Sequence, residues 1–233
     1  MIVVGLAGPV AAQDIAIDFG SDGSLTNRSV QLILLITVLS LVPGIAIMIT
    51  CFPFIVTVLA ILRQGIGLQQ SPPNMLIVSL ALFLTYFVME PVFMAAWTNG
   101  VDPMIGGVLS LEDAFPRIMA PFRDFMSARI DPLTFEELAS LRPDVGPSAP
   151  IESSPLSVLV PSFLLSEIER AFQIGFLVFL PFLIIDLVVA AVLMSMGMMM
   201  VPPAIVSLPF KLAFFVVADG WSLIAGSLVR SYL

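Results

Sequence analysis

Few side chains in this sequence could do chemistry, and the usual ones are missing. None of the 233 residues is a histidine, which removes the commonest general base and the commonest transition-metal ligand together. There is one lysine, Lys211, and one cysteine, Cys51, each inside an apolar run. A serine hydrolase without histidine needs a Ser–Lys pair, and Lys211 stands deep in apolar sequence. An intramembrane aspartyl protease needs two membrane aspartates. Asp186 and Asp219 are available, but Asp186-Leu187 and Ala218-Asp219-Gly220 are the wrong contexts. No phosphate-binding or dinucleotide loop is present. A single cysteine makes no intramolecular disulfide and so does not report the redox compartment. The expectation is a protein that is not an enzyme and takes no cofactor or metal.

The charges inside apolar sequence are informative. A charge at bilayer depth costs about 2.5–3.5 kcal/mol on insertion scales, so it pairs or faces water. Glu90, Asp186, Lys211 and Asp219 lie in apolar segments, with Glu167 and Glu169 at the entrance to one. A lone lysine among several acids calls for a specific carboxylate. Glu167 and Asp186 are the two choices, within the chain or across a subunit contact. Such a pair either locks subunits or lines a wet channel; the plainer alternative is a charge that snorkels to an interface.

Met194, Met196, Met198, Met199 and Met200 cluster at one corner. Thioether chains are apolar and flexible. A ring of them could close a pore to ions yet deform around a passing polypeptide. Gap-filling at a helix corner is the plainer account. Gly197 and Pro202-Pro203 count against it, because they hold the run in a loop. Phe125 is, on the simplest account, one residue of an apolar helical stripe.

These residues must be positioned by helices. The chain is 59% hydrophobic and 11% charged, with mean hydropathy +1.08; a soluble domain carries about 25% charged residues. This is a membrane protein by composition. Residues 29–62 carry no charge. As one helix they would be about 50 Å long, against a hydrocarbon core of about 30 Å, so the segment must tilt, break or leave the bilayer, with Pro43-Gly44 and Pro53 the obvious break points. Further apolar segments run over 75–97, 171–196 and 204–228. Between them, residues 98–155 hold nine acids and four arginines. There Leu111, Phe115, Ile118, Phe122, Phe125 and Met126 recur at helical spacing, with Arg117, Arg123, Asp124 and Arg129 on the other face. Pro116 and Pro121 are expected to break this helix near its start.

The two apolar halves echo one another. Pro53-Phe54-Ile55 leads to Gly67 and Pro72-Pro73; Pro181-Phe182-Leu183 leads to Gly197 and Pro202-Pro203. The expected fold is an all-α membrane protein: two Pro-broken helical hairpins (29–97 and 161–233), parallel to each other and closed at Pro-Pro corners, with an amphipathic arm inserted over 98–160. Arg63, in a tight hinge without acids, places that hinge in the cytoplasm and the N-terminus, arm and C-terminus outside. Residues 1–28 form an N-terminal segment in which Val10-Ala11-Ala12 before Gln13 reads as a remnant signal-peptidase site. The net charge is −8 with no basic stripe, so no nucleic acid is expected as partner; membrane lipid is.

Two blocks carry a family resemblance. One is Pro161-Ser162-Phe163-Leu164-Leu165-Ser166-Glu167-Ile168-Glu169-Arg170-Ala171-Phe172-Gln173-Ile174-Gly175-Phe176. The other runs from Pro181-Phe182-Leu183-Ile184-Ile185-Asp186 through Met198-Met199-Met200 to Leu208-Pro209-Phe210-Lys211-Leu212, with Asp219-Gly220-Trp221 beyond. They resemble the FliP/SctR family of type III export-gate proteins, on the flagellar rather than the injectisome branch. Ser162 departs from a more usual alanine. The resemblance implies a ring of several copies, a pentamer, built with FliQ-like and FliR-like subunits and served by FlhB-like and FlhA-like export proteins. The ring sits at the inner membrane of the flagellar basal body and passes unfolded protein substrates. It further implies that Met198, Met199 and Met200 form a pore gasket and that Phe125 constricts the pore. Glu167 and Lys211 would lie between subunits, and the hairpins partly above the bilayer. A proton-coupled carrier of a small solute, with Asp186, Lys211 and Asp219 as relay, is the rival; a purely structural assembly factor is another.

Overall fold

The computed structural model describes residues 24–68, 72–143, 150–198 and 200–232, with side chains from Ser29 onward. The remnant signal site at Val10 to Ala12 lies outside them. Among the described residues every regular element is helical. The chain divides into two units, Met1–Pro43 and Gly44–Leu233. What is described of the first is the leading part of α1, Ser24–Met48, whose Ser29–Met48 stretch has a mean hydropathy of 2.5. Twenty residues at about 1.5 Å each match the hydrocarbon thickness.

The helix α1 ends at Met48 and α2, Phe52–Ile66, follows after a three-residue break. Pro43 lies inside α1 and does not end it. Pro53 sits in the first turn of α2, where its missing N–H had no intrahelical partner to lose. The α3 helix, Asn74–Ala96, continues through a π-helical turn, Trp97–Val101, into the short α4, Asp102–Ile105. The rod Asn74–Ile105 therefore carries the apolar segment past the composition boundary at residue 97.

The arm contributes α5, Leu111–Ser127, and α6, Pro132–Ser140. Ser110 caps α5 by accepting from the Asp113 N–H at 3.2 Å, and Glu112 and Asp113 supply negative charge to its first turn. Asp131 caps α6 by accepting from the Thr134 N–H at 3.0 Å. The expected break at Pro116 and Pro121 does not occur; both lie inside a continuous α5. Each proline removes one N–H from the ladder, and packing against α3 and the π turn compensates. Only part of the apolar stripe is inward. Ala114 and Met126 are buried and Phe122 and Phe125 half-buried, whereas Leu111 and Phe115 are exposed.

The longest element is α7, Leu156–Ser195, with Pro161 and Pro181 inside it. Its forty residues span about 60 Å, roughly twice the hydrocarbon thickness. The third apolar segment was expected to start at residue 171, with Glu167 and Glu169 at its mouth. The helix instead begins earlier, at Leu156, and carries Glu167 fully buried in its N-terminal part. After α7 come α8, Pro203–Val217, and α9, Gly220–Arg230, which are bent by 60° relative to each other.

Two apolar clusters hold the second unit together. Cys51, Phe54, Val58, Leu62, Ala81, Met89, Ala171 and Phe182 pack α2 against α3 and α7. Met126, Ile130, Phe135, Ala139, Leu159 and Phe163 pack the arm on the first half of α7. Phe122 and Phe125 touch both. Helices α2 and α7 make the most extensive contact. They come close at Gly175, where a Cβ would run into the Ile61 side chain.

Candidate functional site

Two buried clusters of charge and two chain corners carry the polar and reactive groups. The first cluster lies where α2, α7 and α8 meet. Lys211, 5% exposed, donates from Nζ to Asp186 Oδ2 at 2.6 Å and to the Gly65 carbonyl at 3.1 Å. Gly65 belongs to the last turn of α2, whose carbonyls have no intrahelical donors and carry the negative end of the helix dipole. Ser207 donates to the other Asp186 oxygen at 2.5 Å. Of the two carboxylates expected to pair with Lys211, Asp186 is the partner. The Asp186 side chain, 32% exposed, faces an open groove of about 810 Å³ lined by Thr57, Ile61, Gln64 and Phe172.

Glu167 has a different partner. It is fully buried and accepts from Arg129 Nε at 3.1 Å and from the Tyr232 hydroxyl. The Arg129 guanidinium lies over the Tyr232 ring, 4.0 Å from its centroid, and Nη1 donates to the Ser231 carbonyl at 2.8 Å. Arg129 Nη2 is buried with no hydrogen-bond partner among the described residues. Burial first, then the neighbouring Glu167 carboxylate, pushes the Tyr232 phenol well above its ordinary range. Arg129 was placed on the polar face of the arm helix. It turns inward instead, because α5 stops at Ser127 and the helical face no longer applies to residue 129.

Phe125 sits beside this cluster. Its ring is nearly parallel to Tyr232, 16° between planes with centroids 6.0 Å apart, and edge-on to Phe163 at 5.8 Å. It is half-buried, so it belongs to the stripe that docks the arm while keeping part of its surface free.

The two corners use the same backbone device. α2 closes at Gly67 with φ of 87° and α7 at Gly197 with φ of 76°, both left-handed. After α7 the Gly197 N–H bonds the Met194 carbonyl and the Met198 N–H bonds the Leu193 carbonyl, each at 3.0 Å, the paired bonds of a Schellman stop. Pro72 and Pro73 then precede α3, and Pro202 and Pro203 open α8. The dressing differs. Arg63 fastens the first corner to the Pro72 carbonyl and the Asn74 side chain. The second corner presents thioethers, with Met198 37% and Met200 97% exposed. Met199 lies outside the described residues. Asp219 is exposed at the bend between α8 and α9, in left-handed backbone with φ of 49°. It does not join Lys211 and Asp186. Glu90 is exposed on α3. Among the described residues no group of three His, Cys, Asp or Glu could hold a metal ion.

Comparison with known sequences decides the family. The FliP family profile matches residues 35–228. The chain is 50% identical over 226 residues to the flagellar biosynthetic protein FliP of Caulobacter vibrioides, covering 97% of this chain and 85% of that one. The chain belongs to the FliP family. Relatives with the same name in Rhizobium meliloti and Bacillus subtilis are 46% and 44% identical. These alignments cover 100% and 91% of this chain, and 96% of each relative. The FliP match includes both corners, Phe125, Arg129, Glu167, Asp186, Lys211 and Asp219, and ends before Tyr232.

Arg129, Ser207, the Gly65 carbonyl and Tyr232 were not foreseen from sequence. The signals available were an arginine just past the end of an amphipathic helix, and one of only two tyrosines placed after the last apolar segment.

Proposed function

We propose that this chain is a wall-forming subunit of the flagellar protein-export gate in the bacterial inner membrane. Several copies, five by resemblance to the family, close around a conduit together with FliQ-like and FliR-like subunits. FlhB-like and FlhA-like proteins serve the gate, and unfolded substrates pass through it. The chain does no catalysis; partners drive transport. The observation that carries this reading is the FliP family match over residues 35–228; against the rival carrier stands Lys211, the one lysine of the apolar helices, which is closed inside the chain. Asp186 and the Gly65 carbonyl take its protons, and Ser207 takes the second Asp186 oxygen. A proton relay through Asp186, Lys211 and Asp219 would need these groups linked, and Asp219 stands apart at an exposed bend. The carrier reading is unsupported.

Met198, Met199 and Met200 are proposed as the gasket, because two of the three stand exposed on a fixed left-handed stop where flexible apolar chains can meet those of other copies. Phe125 is proposed as the constriction. Glu167 and Lys211 act between subunits, on this reading, by stiffening the faces that meet. Purification in mild detergent together with the partner subunits tests the reading. A large stable ring is expected, and a lone monomer or dimer that moves a solute would refute it. Replacing the three methionines by alanine should raise ion leak with the ring intact.

A further inference from the structure

We propose that Tyr232 is a positioning residue for Phe125: its ring, clamped by Glu167 and Arg129, fixes where the Phe125 ring stands. The inference rests on the reading above for its functional consequence, since Phe125 is the proposed constriction, but the positioning itself stands on geometry. Four elements converge on one phenol. Glu167 from α7 accepts its hydroxyl, and Arg129 from the arm covers its face at 4.0 Å. Phe54 from α2 meets it edge-on at 5.4 Å and 77°. Phe125 from α5 stacks on it at 6.0 Å and 16°. Arg129 also holds the backbone beside it through the Ser231 carbonyl.

The hydroxyl bond to Glu167, charge-assisted and buried, pins the far end of the ring axis, and the Arg129 and Phe54 contacts set the tilt of the ring about it. Phe125, by contrast, has no polar anchor of its own. It is partly buried and is held by what it packs on, with Phe163 at its edge and Tyr232 across its face among the side chains of both apolar clusters. Parallel offset aromatic pairs hold a relative orientation that an aliphatic neighbour does not impose. The last turn of the chain therefore sets the orientation of an aromatic ring in the arm, far away in sequence.

Fluorine NMR of para-fluorophenylalanine at position 125 in the purified full-length assembly reads the ring directly. Loss of the neighbouring ring current alone would move a single sharp line, so the informative outcome for Tyr232→Leu is a resonance split or broadened by more than one ring orientation; a single sharp line overturns the proposal. Should Tyr232→Leu fail to assemble, Tyr232→Met, with similar bulk and no planar ring, carries the same expectation. Tyr232→Phe keeps the stack and the edge contact to Phe54 but loses the hydroxyl bond to Glu167, so it should disturb the resonance less than Tyr232→Leu does; a resonance identical to the parent's overturns the clamp, and one disturbed as far as in Tyr232→Leu overturns the stack. Ion leak separates the two readings. If Tyr232→Leu splits or broadens the resonance and leaks as Phe125→Ala does, with the double variant leaking no more than either single one, both readings hold. If the resonance splits or broadens and neither variant leaks, positioning by Tyr232 stands and the constriction role of Phe125 falls.

Discussion

The two buried ion pairs solve the same problem in opposite surroundings. Lys211 and Asp186 join the two helical halves at the end of α2, with the carboxylate one-third exposed to a groove and backed by Ser207. Arg129 and Glu167 join the arm to α7 and the chain's tail, with the carboxylate wholly buried. A charge that keeps a water-facing edge can recover some hydration when its partner is lost; a sealed one cannot. The first pair is thus tolerant of change and the second is not. The groove is where the chain leaves electrostatic slack, and the arm junction is where it leaves none.

The sharpest way to break this contrast is Arg129→Met, which keeps the aliphatic stem and strands Glu167. Loss of one partner from a sealed pair costs about 3–5 kcal/mol. The retained Tyr232 hydroxyl should hold the loss near the lower end. Thermal unfolding in mild detergent measures it. Lys211→Met should cost less, toward the lower end of the range of about 1–3 kcal/mol for leaving a polar group unpaired, because Asp186 keeps Ser207 and part of its solvent contact. Equal losses for the two variants would erase the distinction. The double variant Lys211→Met with Asp186→Leu should regain most of the single variant's loss, since well-packed apolar replacements of ion pairs are often neutral. A double variant as unstable as Lys211→Met alone would mean that a stranded carboxylate was not the cause.

Only one of the two pairs was readable from sequence. Lys211 and Asp186 stand out because each is a charge in an uncharged run, and the cost of burying a charge demands a partner. Arg129 and Glu167 stand among other charges, where the same rule gives no alarm. Helical periodicity then misplaced Arg129, since the period of 3.6 ends with the helix at Ser127. The same blindness shortened α7. Glu167 and Glu169 read as the entrance of a segment, but Glu167 points inward, and its charge is neutralised by residues distant in sequence. The prolines misled in a milder way. A rule about lost N–H groups says that a helix is weakened at Pro116 or Pro121, not whether its neighbours make good the loss. The helix stops at Gly67 and Gly197 were legible because glycine followed by Pro-Pro has few other uses.

Those corners offer the next test. Gly67→Ala and Gly197→Ala each force a Cβ into left-handed backbone, at about 1–2 kcal/mol. A Cβ on Gly67 would stand 3.8 Å from Leu208 and from Lys211 Nζ, ordinary contact distance, and one on Gly197 would meet nothing within 4 Å. Backbone strain is therefore the whole effect at both, and the two losses in thermal stability should agree. If Gly67→Ala costs clearly more, the first corner must be shaped by its contacts rather than by its backbone.

The smallest expected effect concerns proton binding at the arm junction. Tyr232 holds its proton because its ring is buried and faces the Glu167 carboxylate, with Cys51 adding slightly and Arg129 opposing. The unfolded chain would release that proton near the ordinary tyrosine value of about 10. The folded state keeps it to higher pH, so the folded state binds more protons there. Stability from this group is then full below about pH 10 and drains away as pH rises further. In a Tyr86→Phe background Tyr232 is the only tyrosine, and the near-ultraviolet absorbance of tyrosinate isolates it. Ionisation should appear together with unfolding rather than before it. Tyrosinate forming in the intact fold at the ordinary pH would mean that the ring is open to water, and the sealed character of the arm junction would fail with it.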